Sequence, residues 1–82
     1  MNRFVTIIDF KKEDLETVKK VCEEIGEKDE SFKFEIEELE DSYRLKIFSK
    51  DKDSAYKRGL WFVNRVDCLK GVAFWVEEWE DT

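Results

Sequence analysis

Between Phe32 and Glu37 apolar and charged residues alternate strictly, with Phe32, Phe34 and Ile36 set against Lys33, Glu35 and Glu37. A period of two is the mark of a strand with one face in a core and the other in water. The alternation breaks over Glu38 to Ser42 and resumes with Tyr43, Leu45 and Ile47 against Arg44, Lys46 and Phe48, so a hairpin is expected to join the two strands. Upstream, Arg3 to Phe10 (RFVTIIDF) is dense in β-branched and aromatic residues, which suits a central strand. Downstream, Gly71 to Glu80 sets Val72, Phe74 and Val76 against Ala73, Trp75, Glu77 and Trp79, which predicts a fourth strand.

Elsewhere the apolar spacing changes to three and four. Leu15, Val18, Cys22 and Ile25, with Val21 beside them, form the stripe of a helix over Lys12 to Ile25, and Gly26 is expected to end it as a C′ residue. A second stripe, made of Ala55, Gly59, Phe62, Val63 and Val66, follows Ser49 to Ser54 (SKDKDS), where an Asp or Ser side chain can accept from the free amides of a helix start. Gly71 is expected to end this second helix. Leu60 and Trp61 project from its outer side, together with Lys57, Asn64 and Cys68.

The resulting order, βαββαβ, resembles the ferredoxin-like split motif. The resemblance spans the chain and implies an α+β fold: one domain over residues 1–82, an antiparallel four-stranded sheet in the order 4-1-3-2, and two helices on one face. Two functional groups built on this architecture do not match. A heavy-metal-binding member would carry Cys-x-x-Cys after the first strand, where this chain reads Asp9-Phe10-Lys11-Lys12. An RNA-recognition domain would carry an aromatic-rich motif following a Gly on the third strand, and Tyr43 to Lys50 lacks that spacing.

Absent residue types narrow the chemistry further. With no histidine, Ser-His and Cys-His nucleophile pairs and His-ligated metals are excluded. The only cysteines, Cys22 and Cys68, are far apart in sequence and form no Cys-x-x-Cys, so neither a zinc site nor a thioredoxin-like centre is expected. Antiparallel helices would put these two residues at opposite ends of the domain, leaving Cys22 in the core and Cys68 exposed, both as free thiols. Three glycines cannot supply a Gly-rich phosphate loop. Asp51-Lys52-Asp53 opens like a calcium loop, but Tyr56 stands where that loop needs Gly and Phe62 where it needs Glu, so helix capping accounts for these acids. No enzyme, cofactor or metal is therefore expected. The chain also has no apolar run near the ~18 residues of a membrane span and no secretory pattern at its start, which points to a cytoplasmic protein.

Charge supplies the remaining signal. At 44% charged residues the 82-residue chain could resist folding, but 41% hydrophobic content, with seven Phe, three Trp and two Tyr, supplies a core. Its formal charge of −6 is unevenly spread, with nets of −1 over residues 1–26, −6 over 27–41, +5 over 42–70 and −4 over 71–82. Both edges of a 4-1-3-2 sheet are thus acidic: Glu35, Glu37, Glu38, Glu40 and Asp41 at one, and Glu77, Glu78, Glu80 and Asp81 at the other. Such edges resist edge-to-edge pairing and can pair with Arg44 and Lys46 across the strands. They also suit a basic partner.

Parity places Trp75 and Trp79 of the fourth strand and Phe48 of the third on the face opposite the helices, where they should be wet. Phe4, Thr6 and Ile8 would join them if Val5 and Ile7 face the core. An aromatic patch rimmed by charge marks an interaction surface. The candidate partner-binding residues are accordingly Trp75, Trp79, Phe48, Glu37, Glu38, Glu40, Asp41 and Glu77, with Trp61 of the second helix as a separate anchor. The expected function is that of a small acidic, non-enzymatic protein-binding module, an inhibitor that occupies a basic, nucleic-acid-binding site on a protein partner, by analogy with phage-encoded anti-CRISPR or DNA-mimic proteins. It would touch neither nucleic acid nor membrane directly and would be a monomer or a homodimer. The alternative is a homodimeric regulatory or small-ligand-binding domain joined through its open sheet faces.

Overall fold

The structure is a computed structural model describing residues 2–79. Its elements, in chain order, are β1 (Phe4–Lys11), α1 (Leu15–Lys28), β2 (Lys33–Glu38), β3 (Ser42–Ser49), α2 (Lys52–Arg65) and β4 (Phe74–Glu78). A 3-10 turn at Lys12–Asp14 leads into α1, and another at Asp67–Leu69 follows α2. The four strands form one antiparallel sheet ordered β2-β3-β1-β4, which is 4-1-3-2 counted from the other edge. With both helices packed on one side, this is the α+β ferredoxin-like arrangement.

Register divides every strand between two faces. Toward the helices lie the rows Phe34–Ile47–Thr6–Val76 and Ile36–Leu45–Ile8–Phe74, followed by Tyr43 beside Phe10. Away from them lie Lys33–Phe48–Val5–Glu77, Glu35–Lys46–Ile7–Trp75 and Glu37–Arg44–Asp9. The facing expected for β1 is therefore reversed: Thr6 and Ile8 point into the helix-covered core, and Val5 and Ile7 belong to the open face. The physical reason is visible at the strand's end. Asp9 shares the parity of Val5 and Ile7, and Phe10 that of Thr6 and Ile8, so the opposite facing would bury a carboxylate and expose a phenyl ring. Thr6, fully buried, is tolerated because its hydroxyl donates to the Ala55 carbonyl of α2 at 2.6 Å.

The helices bury the residues that the stripes indicate: Val18 and Cys22 of α1, and Ala55, Gly59 and Phe62 of α2. Phe62 is the largest fully buried side chain, stacked on Phe32 at 6.2 Å with the rings nearly parallel. Neither helix ends where its glycine suggests. α1 runs through Gly26 to Lys28 because the Asp29 amide still donates to the Ile25 carbonyl; the chain then turns extended, and the Asp29 carboxylate accepts from the Ser31 amide at 2.9 Å. α2 stops at Arg65, where Val66 adopts an extended conformation and buries its side chain. Gly71 acts later: with φ of 78°, the one left-handed backbone among the described residues, it swings the chain out of the second 3-10 turn toward β4. At its start α2 is capped by Asp51, which accepts from the Ser54 amide at 2.7 Å.

Candidate functional site

The open face of the sheet is built by β4 reaching over β1. On β4, Trp75 and Glu77 occupy alternate positions, and Trp79, the residue after the strand, continues the alternation as its amide donates to the Arg3 carbonyl, so the three share this face. Trp79 packs against Phe48 of β3, ring centroids 5.0 Å apart, and the guanidinium of Arg44, also on β3, lies over the Trp75 ring at 5.4 Å. Because β1 runs between β4 and β3, both indoles must span it. They roof Val5 and Ile7, which are only 4% exposed although no helix covers them, and these two residues form with Phe48 a second small apolar cluster. Phe48 itself is 8% exposed, so its expected wetness is a correction: Trp79 covers it. The outer surfaces of the roof remain accessible, with Trp75 at 39% and Trp79 at 37% exposure.

Polar contacts hold the roof in place. Glu77 accepts a hydrogen bond from the Trp75 indole Nε1 at 2.6 Å, which fixes the ring and sets a carboxylate between the two indoles. Arg44 forms two hydrogen bonds with Asp9, at 2.8 and 3.1 Å, so the guanidinium that rests on Trp75 is anchored from below. Register places Arg44 opposite Glu37 and Lys46 opposite Glu35, but the ion pair that forms is the diagonal Lys46–Glu37 at 3.5 Å. On this face Lys33, Arg44 and Lys46 stand against Asp9, Glu35, Glu37 and Glu77, so its charge is nearly balanced, with Glu35 on β2 and Glu77 on β4 at the margins.

The residues singled out in the sequence fall into three places. Trp75, Trp79, Phe48, Glu37 and Glu77 share the open face. Glu38 turns toward the helix side and pairs with Lys12 at 3.5 Å, while Glu40 and Asp41 sit at the hairpin tip, closed by the Leu39 amide donating to the Ser42 carbonyl. Glu80 and Asp81 lie outside the described residues. Trp61 is on the other side of the molecule, on α2, 38% exposed, edge-on to Phe62 and beside Arg65 at 5.7 Å. With Ile25, Phe32 and Phe62 it lines a groove of about 390 Å³. Sequence reading missed Val5, Ile7 and Arg44 as members of the open face. The parity of Asp9 would have found the first two, and the parity that Arg44 shares with Phe48 would have found its face; only its place over Trp75 needed the register.

Neither cysteine belongs to this surface. Cys22, at the middle of α1, is fully buried, and burial, reinforced by Glu23, pushes its thiol up to about 12. Cys68 departs from expectation: it lies in the second 3-10 turn, half-buried against the core, with its thiol raised first by burial and then by Asp14. Both are free. At pH 8 a thiol reagent should leave Cys22 unmodified in the folded protein and label it once urea unfolds the chain, as counted by mass spectrometry; rapid labelling of Cys22 in the native state would contradict its burial. Since the folded thiol ionises at higher pH than the unfolded one, its contribution is complete below 9.0 and declines as pH rises toward 12. Cys22→Ala should flatten that decline in chemical denaturation curves.

Among the described residues no three His, Cys, Asp or Glu side chains converge as a metal site requires, and no helix is long and apolar enough to cross a membrane. What the open face offers is flat aromatic surface, carboxylates at its margins and an arginine resting on an indole. No protein-family model, curated protein or solved structure matches the chain.

Proposed function

We propose that this chain is an acidic, non-enzymatic protein-binding module that docks its open sheet face onto a basic surface of a cytoplasmic partner. The observation that carries this reading is the roof itself: two partly exposed indoles on a helix-free sheet face, with Glu77 between them and acidic strands at both edges. The indoles supply desolvated contact area, and the acids speed encounter with a positive surface more than they tighten the complex. A basic surface that otherwise carries nucleic acid fits this charge pattern, so the module acts as an inhibitor by occupying such a site, in the manner of anti-CRISPR and DNA-mimic proteins. The hairpin-tip acids Glu40 and Asp41, and Glu38 on the helix side of β2, contribute to steering only.

Capture from a lysate, with three variants compared, tests this reading. Trp75→Ala with Trp79→Ala should abolish capture of the specific protein, and duplex DNA should displace that protein from the wild type. Neutralising Glu37 and Glu77 should weaken capture and its salt dependence together. Neutralising Glu38, Glu40 and Asp41 should slow association with little change in dissociation. Undiminished capture by the tryptophan variant would refute the reading. So would a light-scattering mass of two chains that Trp75→Ala reduces to one, since the face would then be occupied by a second copy.

A further inference from the structure

We infer that the element of the partner recognised by Trp75, Glu77 and Trp79 is an arginine side chain, its guanidinium laid on an indole and hydrogen-bonded to the Glu77 carboxylate. The inference rests on the docking reading above and gives it a chemical class. Three observations carry it. First, the site already holds a guanidinium in miniature: Arg44 lies over the Trp75 ring at 5.4 Å while Asp9 accepts its N–H groups. Second, Trp75 and Glu77 alternate along the edge strand β4 and Trp79 follows directly after it, so a carboxylate stands between two indoles at the spacing of a strand pleat. Third, Glu77 is oriented before any partner arrives, because one oxygen accepts from the Trp75 Nε1 at 2.6 Å and its other oxygen remains as an acceptor for an incoming N–H.

Guanidinium fits this arrangement better than ammonium. It is planar and weakly hydrated, so it can stack on an indole and donate sideways to a carboxylate at once, whereas an ammonium is a compact, strongly hydrated point charge. Arg44 then has a second role. By resting on Trp75 it competes with the partner's arginine for that ring, and its removal opens the face of the indole.

Fluorescence anisotropy with two labelled peptides, acetyl-Gly-Arg-Gly-Arg-Gly-Arg-amide and its lysine counterpart, tests the inference at low salt. The arginine peptide should bind about tenfold more tightly than the lysine peptide. Glu77→Gln and Trp75→Leu should each weaken arginine-peptide binding about tenfold and bring the two peptides together. Arg44→Ala should tighten binding of the arginine peptide several-fold more than Lys46→Ala does, although both remove one positive charge from the same face. Glu77→Gln removes the charge but keeps an oxygen that can accept from the Trp75 indole, so the test survives if a tryptophan variant fails to fold. Equal affinity for the two peptides, or equal effects of Arg44→Ala and Lys46→Ala, would overturn the arginine assignment. The docking reading would survive that result if lysate capture still depended on Trp75 and Trp79, and it would fall separately if capture did not.

Discussion

Phe62→Ala should lower the unfolding free energy by about 3–5 kcal/mol, enough to leave a domain of this size partly unfolded at room temperature. The ring is 1% exposed, stacks face to face on Phe32 and meets Trp61 edge-on. Truncation removes apolar area and also opens a cavity that the β-sheet on one side and the α2 backbone on the other cannot collapse to fill. Urea denaturation at neutral pH measures the effect as a fall in midpoint. Leu60→Ala, at an exposed position two residues away, serves as the control and should shift stability by less than about 0.5 kcal/mol. Similar losses at the two positions would mean that α2 does not present its Phe62 face to the sheet.

Two glycine substitutions of identical chemistry should act in opposite directions. Gly26 lies inside α1, and a Cβ there would have nothing within 4 Å, so Gly26→Ala should stabilise by about 0.5–1 kcal/mol through the lower entropy of the unfolded chain. Gly59 lies inside α2, where a Cβ would come within 3.0 Å of three ring carbons of Phe74 on β4. That ring cannot withdraw freely, because Tyr56 packs against it at 5.3 Å. Gly59→Ala should therefore cost about 1–3 kcal/mol net of its gain in helix propensity. Thermal unfolding of the two variants beside wild type checks the signs. A stabilising Gly59→Ala would show that α2 stands farther from β4 than the structure has it. Since β4 also carries Trp75 and leads directly into Trp79, the same close approach of helix and edge strand sets the position of the open-face indoles.

Strands β2 and β3 were legible because each sets charged residues against apolar ones, so alternation reports both existence and facing; Phe34 with Ile36 and Leu45 with Ile47 point where the pattern says. β1 was legible as a strand but not in its facing. Apolar on both parities, it lies in the middle of the sheet, under the helices on one side and under two indoles on the other, and only Asp9 and Phe10 betray which side is which. The helix ends misled for a different reason. Gly26 and Gly71 resemble terminators, but a helix stops where packing and backbone partners stop it: α1 continues while Ile25 still has an amide to accept from, and α2 ends early because Val66 turns into the core. Of the candidate surface, the outward Trp75 and Trp79 could be read from parity. The roof could not, because it depends on indoles crossing β1 to Phe48 and Arg44, contacts between residues about thirty positions apart that only the register creates.

Hydroxyl-radical footprinting of the protein alone and in complex with its captured partner tests the proposed docking face most directly. Oxidation of Trp75 and Trp79 should fall several-fold in the complex, while Tyr56, Leu60 and Trp61, on the helix side, keep the rates they show in the free protein. Protection of Trp61 and Tyr56 with Trp75 and Trp79 as reactive as before would contradict the account and move the interface to α2.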